Sequence, residues 1–154
     1  MKKLFLLFAV MAASISVASA QEAGQWTLGP RMNIYANSGD GAVFSLGAFT
    51  RYNFTDAWRV EPAVSVLFHS GCSVDIQCDV HYLFEVAPKW YLYPLAGVTV
   101  SDIGKWGFGM NLGAGTDFAV ARDWDLTASV KWMPVFESLR KNPIVISVGA
   151  CYKF

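Results

Sequence analysis

Charge is scarce in this sequence. Twelve Lys or Arg and twelve Asp or Glu are spread over 154 residues and cancel to a formal net charge of zero. With no excess of either sign, the chain lacks the electrostatic footprint that nucleic acid requires. Histidine occurs twice, at His69 and His81, and two histidines so placed make no metal-ligand signature. Long apolar runs are missing too. After the first twenty residues, none approaches the ~20 residues of a membrane-spanning helix. Yet 54% of the residues are hydrophobic, which is unusual for a soluble secreted domain.

The exception is the start, "MKKLFLLFAVMAASISVASA". Lys2 and Lys3 form a positive n-region, Leu4 to Ala13 an apolar h-region, and Ala18-Ser19-Ala20 a small-x-small cleavage site. This pattern predicts a secretory signal peptide over residues 1–20, with Gln21 as the mature N-terminus. The apolar run is too short for a membrane anchor. Residues 21–154 then make one domain of 134 residues with a net charge near −2.

What is present is a repeat. "WTLGP" from Trp26, "WRVEP" from Trp58, "WYLYP" from Trp90 and "WDLTA" from Trp124 begin 32, 32 and 34 residues apart. Four endings lie between or after them: "YNF" at Phe54, "YLF" at Phe84, "TDF" at Phe118 and "YKF" at Phe154. A unit of this length holds a strand, a loop, a strand and a turn. Alternation predicts eight strands, over 26–36, 44–54, 58–68, 74–84, 90–100, 108–118, 124–134 and 144–154. Short turns fall at 55–57, 85–89 and 119–123; longer loops fall at 37–43, 69–73, 101–107 and 135–143. Pro30, Pro62, Pro94 and Pro134 lie within these strands without a ladder donor, and bulges are the expected accommodation.

Parity is strict. Even positions are apolar; Thr50 and Thr116 are their only aliphatic hydroxyls. Odd positions carry Arg31, Arg51, Arg59, Lys131 and Lys153 against Glu61, Asp75, Asp79, Asp117 and Asp125, together with His81. Buried charge requires pairing, and equal numbers of each sign suit a self-satisfying network. Periodicity alone does not say which face is outside. A soluble lipid-binding barrel has an apolar lumen, whereas a membrane barrel has an apolar exterior. The strand ends decide. Trp26, Phe54, Trp58, Phe84, Trp90, Phe118, Trp124 and Phe154 all sit at the turn-side end of the even face, as an interfacial girdle would. Phe44, Phe68, Phe108 and Trp132 form a looser set at the other end. The expected fold is an all-β, eight-stranded antiparallel up-and-down transmembrane barrel.

These features resemble the small eight-stranded outer-membrane barrels of Gram-negative bacteria, the OmpX-like and OmpA-transmembrane-like class of porin-family barrel domains. The signal peptide, "LYPLAGV" at Leu92 to Val98, the Tyr-x-Phe endings and terminal Phe154 carry the resemblance. It implies residence in the cell outer membrane with both termini periplasmic. It also implies that the barrel assembly machinery reads Tyr152 and Phe154 during biogenesis. The architecture is specific but the activity is not, since the class includes adhesins, stress-related proteins and enzymes.

Eight strands enclose a lumen just wide enough for side chains to fill. The expected role is therefore non-enzymatic, structural or surface-interacting, with outer-membrane lipid as the immediate partner, no cofactor and no nucleic acid. A closed barrel has no free edge and can stand as a monomer. The alternatives are a narrow channel for ions or very small solutes and a lipid-acting enzyme using His69-Ser70 near the loop-side rim. A rim role without chemistry suits that pair better, because adjacent strand residues point to opposite faces. An oxidising compartment permits a Cys72–Cys78 disulfide across loop 69–73, although parity turns Cys78 toward lipid, so both readings stand. Cys151 is expected to face inward as a packing residue.

Overall fold

A sheet with one apolar and one polar face hides its edges most completely by closing on itself, and this chain does so. The computed structural model describes residues 22–37, 41–69, 71–102, 106–136 and 142–154, none of them helical. Among these residues nine strands are formed: β1 (Trp26–Ala36), β2 (Val43–Asn53), β3 (Trp58–His69), β4 (Gly71–Tyr82), β5 (Phe84–Ala87), β6 (Trp90–Ser101), β7 (Gly107–Ala119), β8 (Trp124–Trp132) and β9 (Ile144–Lys153). All pairings are antiparallel between chain neighbours, and β1 with β9 closes the ring. β4 and β5 are successive segments of one stave, both paired to β6. The wall therefore has eight staves. The signal-peptide expectation lies outside the described residues.

Parity holds around the whole wall. Among the described residues, every exposed large apolar side chain is even-numbered, and every buried side chain is odd-numbered. The soluble barrel with an apolar lumen is thereby excluded, because the apolar face is the outer one. Thr50 and Thr116, the hydroxyl exceptions on that face, donate to the carbonyls of Thr27 (2.8 Å) and Tyr91 (2.9 Å) on the adjoining strands. In hydrocarbon a hydroxyl must find such a partner.

The repeated endings have a shared geometry. At three of the four stations the Trp leans on the Tyr of an adjoining strand, and that Tyr meets the Phe two residues on. Ring centroids are 4.8 and 5.3 Å apart in Trp26–Tyr52–Phe54, 4.9 and 4.7 Å in Trp58–Tyr82–Phe84, and 5.5 and 5.3 Å in Trp124–Tyr152–Phe154. The fourth station has Thr116 where the others have Tyr. There the Trp90 indole N–H donates to the threonine hydroxyl instead, at 2.6 Å. Phe154 adds a backbone link from its N–H to the Trp26 carbonyl, 2.9 Å long.

Four expectations need correction. Loop 69–73 does not exist as such, because β3 and β4 stay paired up to His69–Gly71. The fourth strand is broken at Leu83, which turns its N–H to the Ala57 carbonyl (2.7 Å) in the preceding turn. The prolines cause no bulge, and the register shifts only between Glu85 and Ala87. Instead, Pro30, Pro62 and Pro94 each leave a gap in one ladder, whereas Pro134 lies beyond the end of β8 and not within a strand, its carbonyl accepting from the Met110 N–H at 3.0 Å. The β1–β9 pairing skips from Leu28 to Arg31 at Pro30, and the β2–β3 pairing skips from Ala63 to Val60 at Pro62. Pro94 sits where β6 passes from β4 to β5. Finally, Cys72 and Cys78 share strand β4 and Cys78 is a free thiol. Six residues of strand span ~20 Å, far beyond the ~7 Å limit on the Cα separation of a disulfide. Cys78 faces outward and Cys151 is buried inside, as parity requires.

Candidate functional site

The lumen is the chemically richest part of the molecule. All ten of the expected network residues (Arg31, Arg51, Arg59, Glu61, Asp79, His81, Asp117, Asp125, Lys131 and Lys153) point inward and are buried. They separate into three groups.

At the middle, Glu61 accepts from Arg31 and, at 2.5 Å, from Arg51 Nε. Arg51 reaches across the lumen from β2 to Asp117 on β7 (3.2 Å) and Thr127 on β8 (2.9 Å). Arg59 pairs with the same Asp117 at 2.7 Å. Two rings sit among the guanidiniums. Phe49 lies 4.4 Å from Arg31 and 4.7 Å from Arg51, and Tyr93 lies 4.6 Å from Arg59. Arg59 Nε donates to His81 Nδ1 at 3.0 Å, and the imidazole stacks on Tyr93 at 4.5 Å. The Tyr93 ring occupies the space where a Cβ on Gly115 would stand, so that glycine makes room for the stack.

Toward the loop side, Lys131 on β8 crosses to Asp79 on β4 (2.6 Å) and to Gln77. Asn111 donates to the other Asp79 oxygen at 2.7 Å. Asp75 is held by neutral donors: Tyr35 (2.5 Å), Gln77 (2.6 Å) and Thr99 (2.5 Å). Toward the turn side, Lys153 pairs with Asp125 at 2.7 Å. The ten charges balance over the whole lumen, but not group by group. The middle carries three cations on two carboxylates, and the loop-side group carries one cation on two.

Above the loop-side group lies something the even/odd reading left out. Tyr35, Val43, Leu67, Met133 and Val145 form one buried apolar cluster, with Val135 packed against it. Its parity was visible, since these are odd positions with apolar residues near strand ends. Gln77, Tyr93, Thr99 and Thr127 were visible only as unremarked odd positions.

Glu61, Asp79 and His81 bring potential metal-ligand atoms within 4.8 Å of one another. The donor set does not fit a cation. Each Glu61 oxygen already accepts from a guanidinium, and the Asp79 oxygens accept from Asn111 and Lys131. Arg59 occupies His81 Nδ1, which fixes the tautomer with its hydrogen on Nε2 and leaves no lone pair to give. His81 is not placed to act as a base. His81 is 1% exposed and its ring is committed to Arg59 and Tyr93. Ser70 and the His69 side chain lie outside the described residues.

A closed eight-stave barrel, apolar outside and ionic inside, with aromatic belts at both rims, is the architecture of an outer-membrane barrel. Comparison with known families agrees. Residues 5–154 match the model of the outer membrane protein beta-barrel domain, and the chain belongs to that family. No curated protein matches the sequence. Among solved structures, the N-terminal beta-barrel domain of Pseudomonas aeruginosa OprF is similar at 17% identity and a TM-score of 0.71, covering 87% of this chain and 100% of that one. OprG of Pseudomonas aeruginosa gives 13% identity and a TM-score of 0.69, covering 89% and 99%. Neisserial surface protein A gives 19% and 0.67, covering 86% and 98%. At these identities the likeness is one of fold.

Proposed function

We propose that this protein is a non-enzymatic, non-conducting wall element of the outer membrane, acting through its structure and its exposed rim. The observation that carries this reading is the filled lumen: struts of paired charge cross it at mid-height, and an apolar plug stands over them on the loop side. Leu67, Met133 and Val145 are buried in that plug, each at most 1% exposed. Loops are short, and β3 passes to β4 through residue 70 alone, which suits contact by a compact rim rather than by a projecting sheet. Trp106 and Phe136 stand exposed on that rim.

The same reading places both termini in the periplasm, with residues 1–20 removed and the Tyr152 and Phe154 endings serving the assembly machinery. It takes lipid as the immediate partner and a monomer as the working form. Planar-bilayer recording of the refolded protein tests it. The expected trace is flat for the wild type; discrete ohmic steps from it would establish the narrow channel instead.

A further inference from the structure

The lipid-facing wall is not uniformly convex. A shallow groove of about 330 Å³ crosses the outer surface of β1 to β4, with Leu28, Val64 and Ile76 along it and Ala48, Thr50 and Pro62 in it. Thr50 stands opposite Leu28, and Ala48 stands opposite Val64. The groove coincides with the gap in the β2–β3 ladder at Pro62. Short side chains over an interrupted ladder leave a recess that the neighbouring Leu and Ile side chains overhang.

We propose that this groove holds one acyl chain of a membrane lipid in a fixed position against the wall. Its depth selects the chemistry. Six of its nine lining residues belong to the even face, between the turn-side belt and the looser loop-side set, where only hydrocarbon reaches; the other three, Phe49, Ala63 and Gln77, are buried odd-face residues, and the Gln77 amide is committed to Asp75 and Lys131. Nothing polar is on offer inside it. The Thr50 hydroxyl is already committed to the Thr27 carbonyl, and Pro62 has no N–H. A headgroup or a polar ligand would therefore be desolvated without compensation. A recess of this volume, apolar throughout its accessible lining, suits a single flexible chain. The groove is continuous with the lipid-facing surface and lies at the low end of ligand-pocket volumes. This inference is separate from the proposed role: a conducting barrel could carry the same lipid.

The test is native mass spectrometry of the refolded protein, extracted in detergent from bilayers of phosphatidylethanolamine. The wild type should retain one lipid per barrel. Ala48→Phe, which fills the groove, should lower the retained fraction about tenfold. Ala128→Phe, the same substitution on the outward face of β8, should leave it unchanged. Heat-modifiable migration confirms that each variant is folded. If Ala48→Phe fails to fold, Ala48→Leu is read in the same way. Equal retention by Ala48→Phe and wild type would overturn the assignment, and so would a wild type that retains no lipid. A lipid-free dimer joined through Cys78, the free thiol opposite Pro62, would give the groove to a second copy and overturn it as well.

Discussion

Arg51 and Leu67 occupy the same lumen, on adjoining strands, each almost completely buried. They fill it by different physics. Arg51 is held by directed bonds to named partners on three other strands, and removing either carboxylate leaves the buried guanidiniums short of counter-charge in a low-dielectric interior. Leu67 is held by contact with Tyr35, Val43, Met133 and Val145, which is non-directional and tolerant of shape. The middle of the lumen therefore specifies which residues oppose which, and the loop end supplies a seal. Charge at mid-height would be intolerable without its partners, whereas the plug would work with several sets of apolar side chains.

The difference can be measured. Glu61→Ala leaves both Arg31 and Arg51 short of an acceptor, and unfolding in urea from bilayers should show a loss of about 3–5 kcal/mol. This is the largest effect expected. Leu67→Ala should cost about 2–4 kcal/mol by opening a cavity; if it proved costlier than Glu61→Ala, the ranking of the two regions would be inverted. Leu67→Ile and Leu67→Met should each stay below ~1.5 kcal/mol. A comparably isosteric change at the middle, Glu61→Gln, should exceed that, since it removes a charge and leaves its cations. A result in which these three variants are indistinguishable would dissolve the contrast. The smallest effect lies outside both regions. Trp90→Phe removes the indole bond to Thr116 and should cost about 1 kcal/mol, more than Trp124→Phe, whose ring contact with Tyr152 survives.

Much of this arrangement was legible in the sequence because a strand's side chains alternate without exception. Once Trp26, Trp58, Trp90 and Trp124 were aligned, the inside and outside of every stave followed, and so did the membership of the charge network. Partners were not legible. Nothing in the order of residues says that Arg51 and Arg59 share Asp117, because those bonds cross the lumen between strands that are not neighbours. Charge counting suggested a simple pairing, but the middle holds three cations on two carboxylates while Asp75 relies on neutral donors. The break at Leu83 and the ladder gaps at the prolines also escaped the pattern. A missing backbone donor changes hydrogen bonding without changing which face a side chain takes. The plug escaped because apolar residues at odd positions were outnumbered by polar ones.

The link between β1 and β9 bears on the kinetics of assembly. Every other ladder in the wall joins segments that follow one another along the chain, so each can form as a hairpin, locally and early. The β1–β9 ladder joins the first strand to the last, and its loop-closure entropy is met only when the rest of the sheet has already curled. Folding should therefore wait on that seam. Weakening it, for instance at Arg31–Gly149 where pairing resumes after Pro30, should slow barrel formation more than an equal loss of stability within any hairpin.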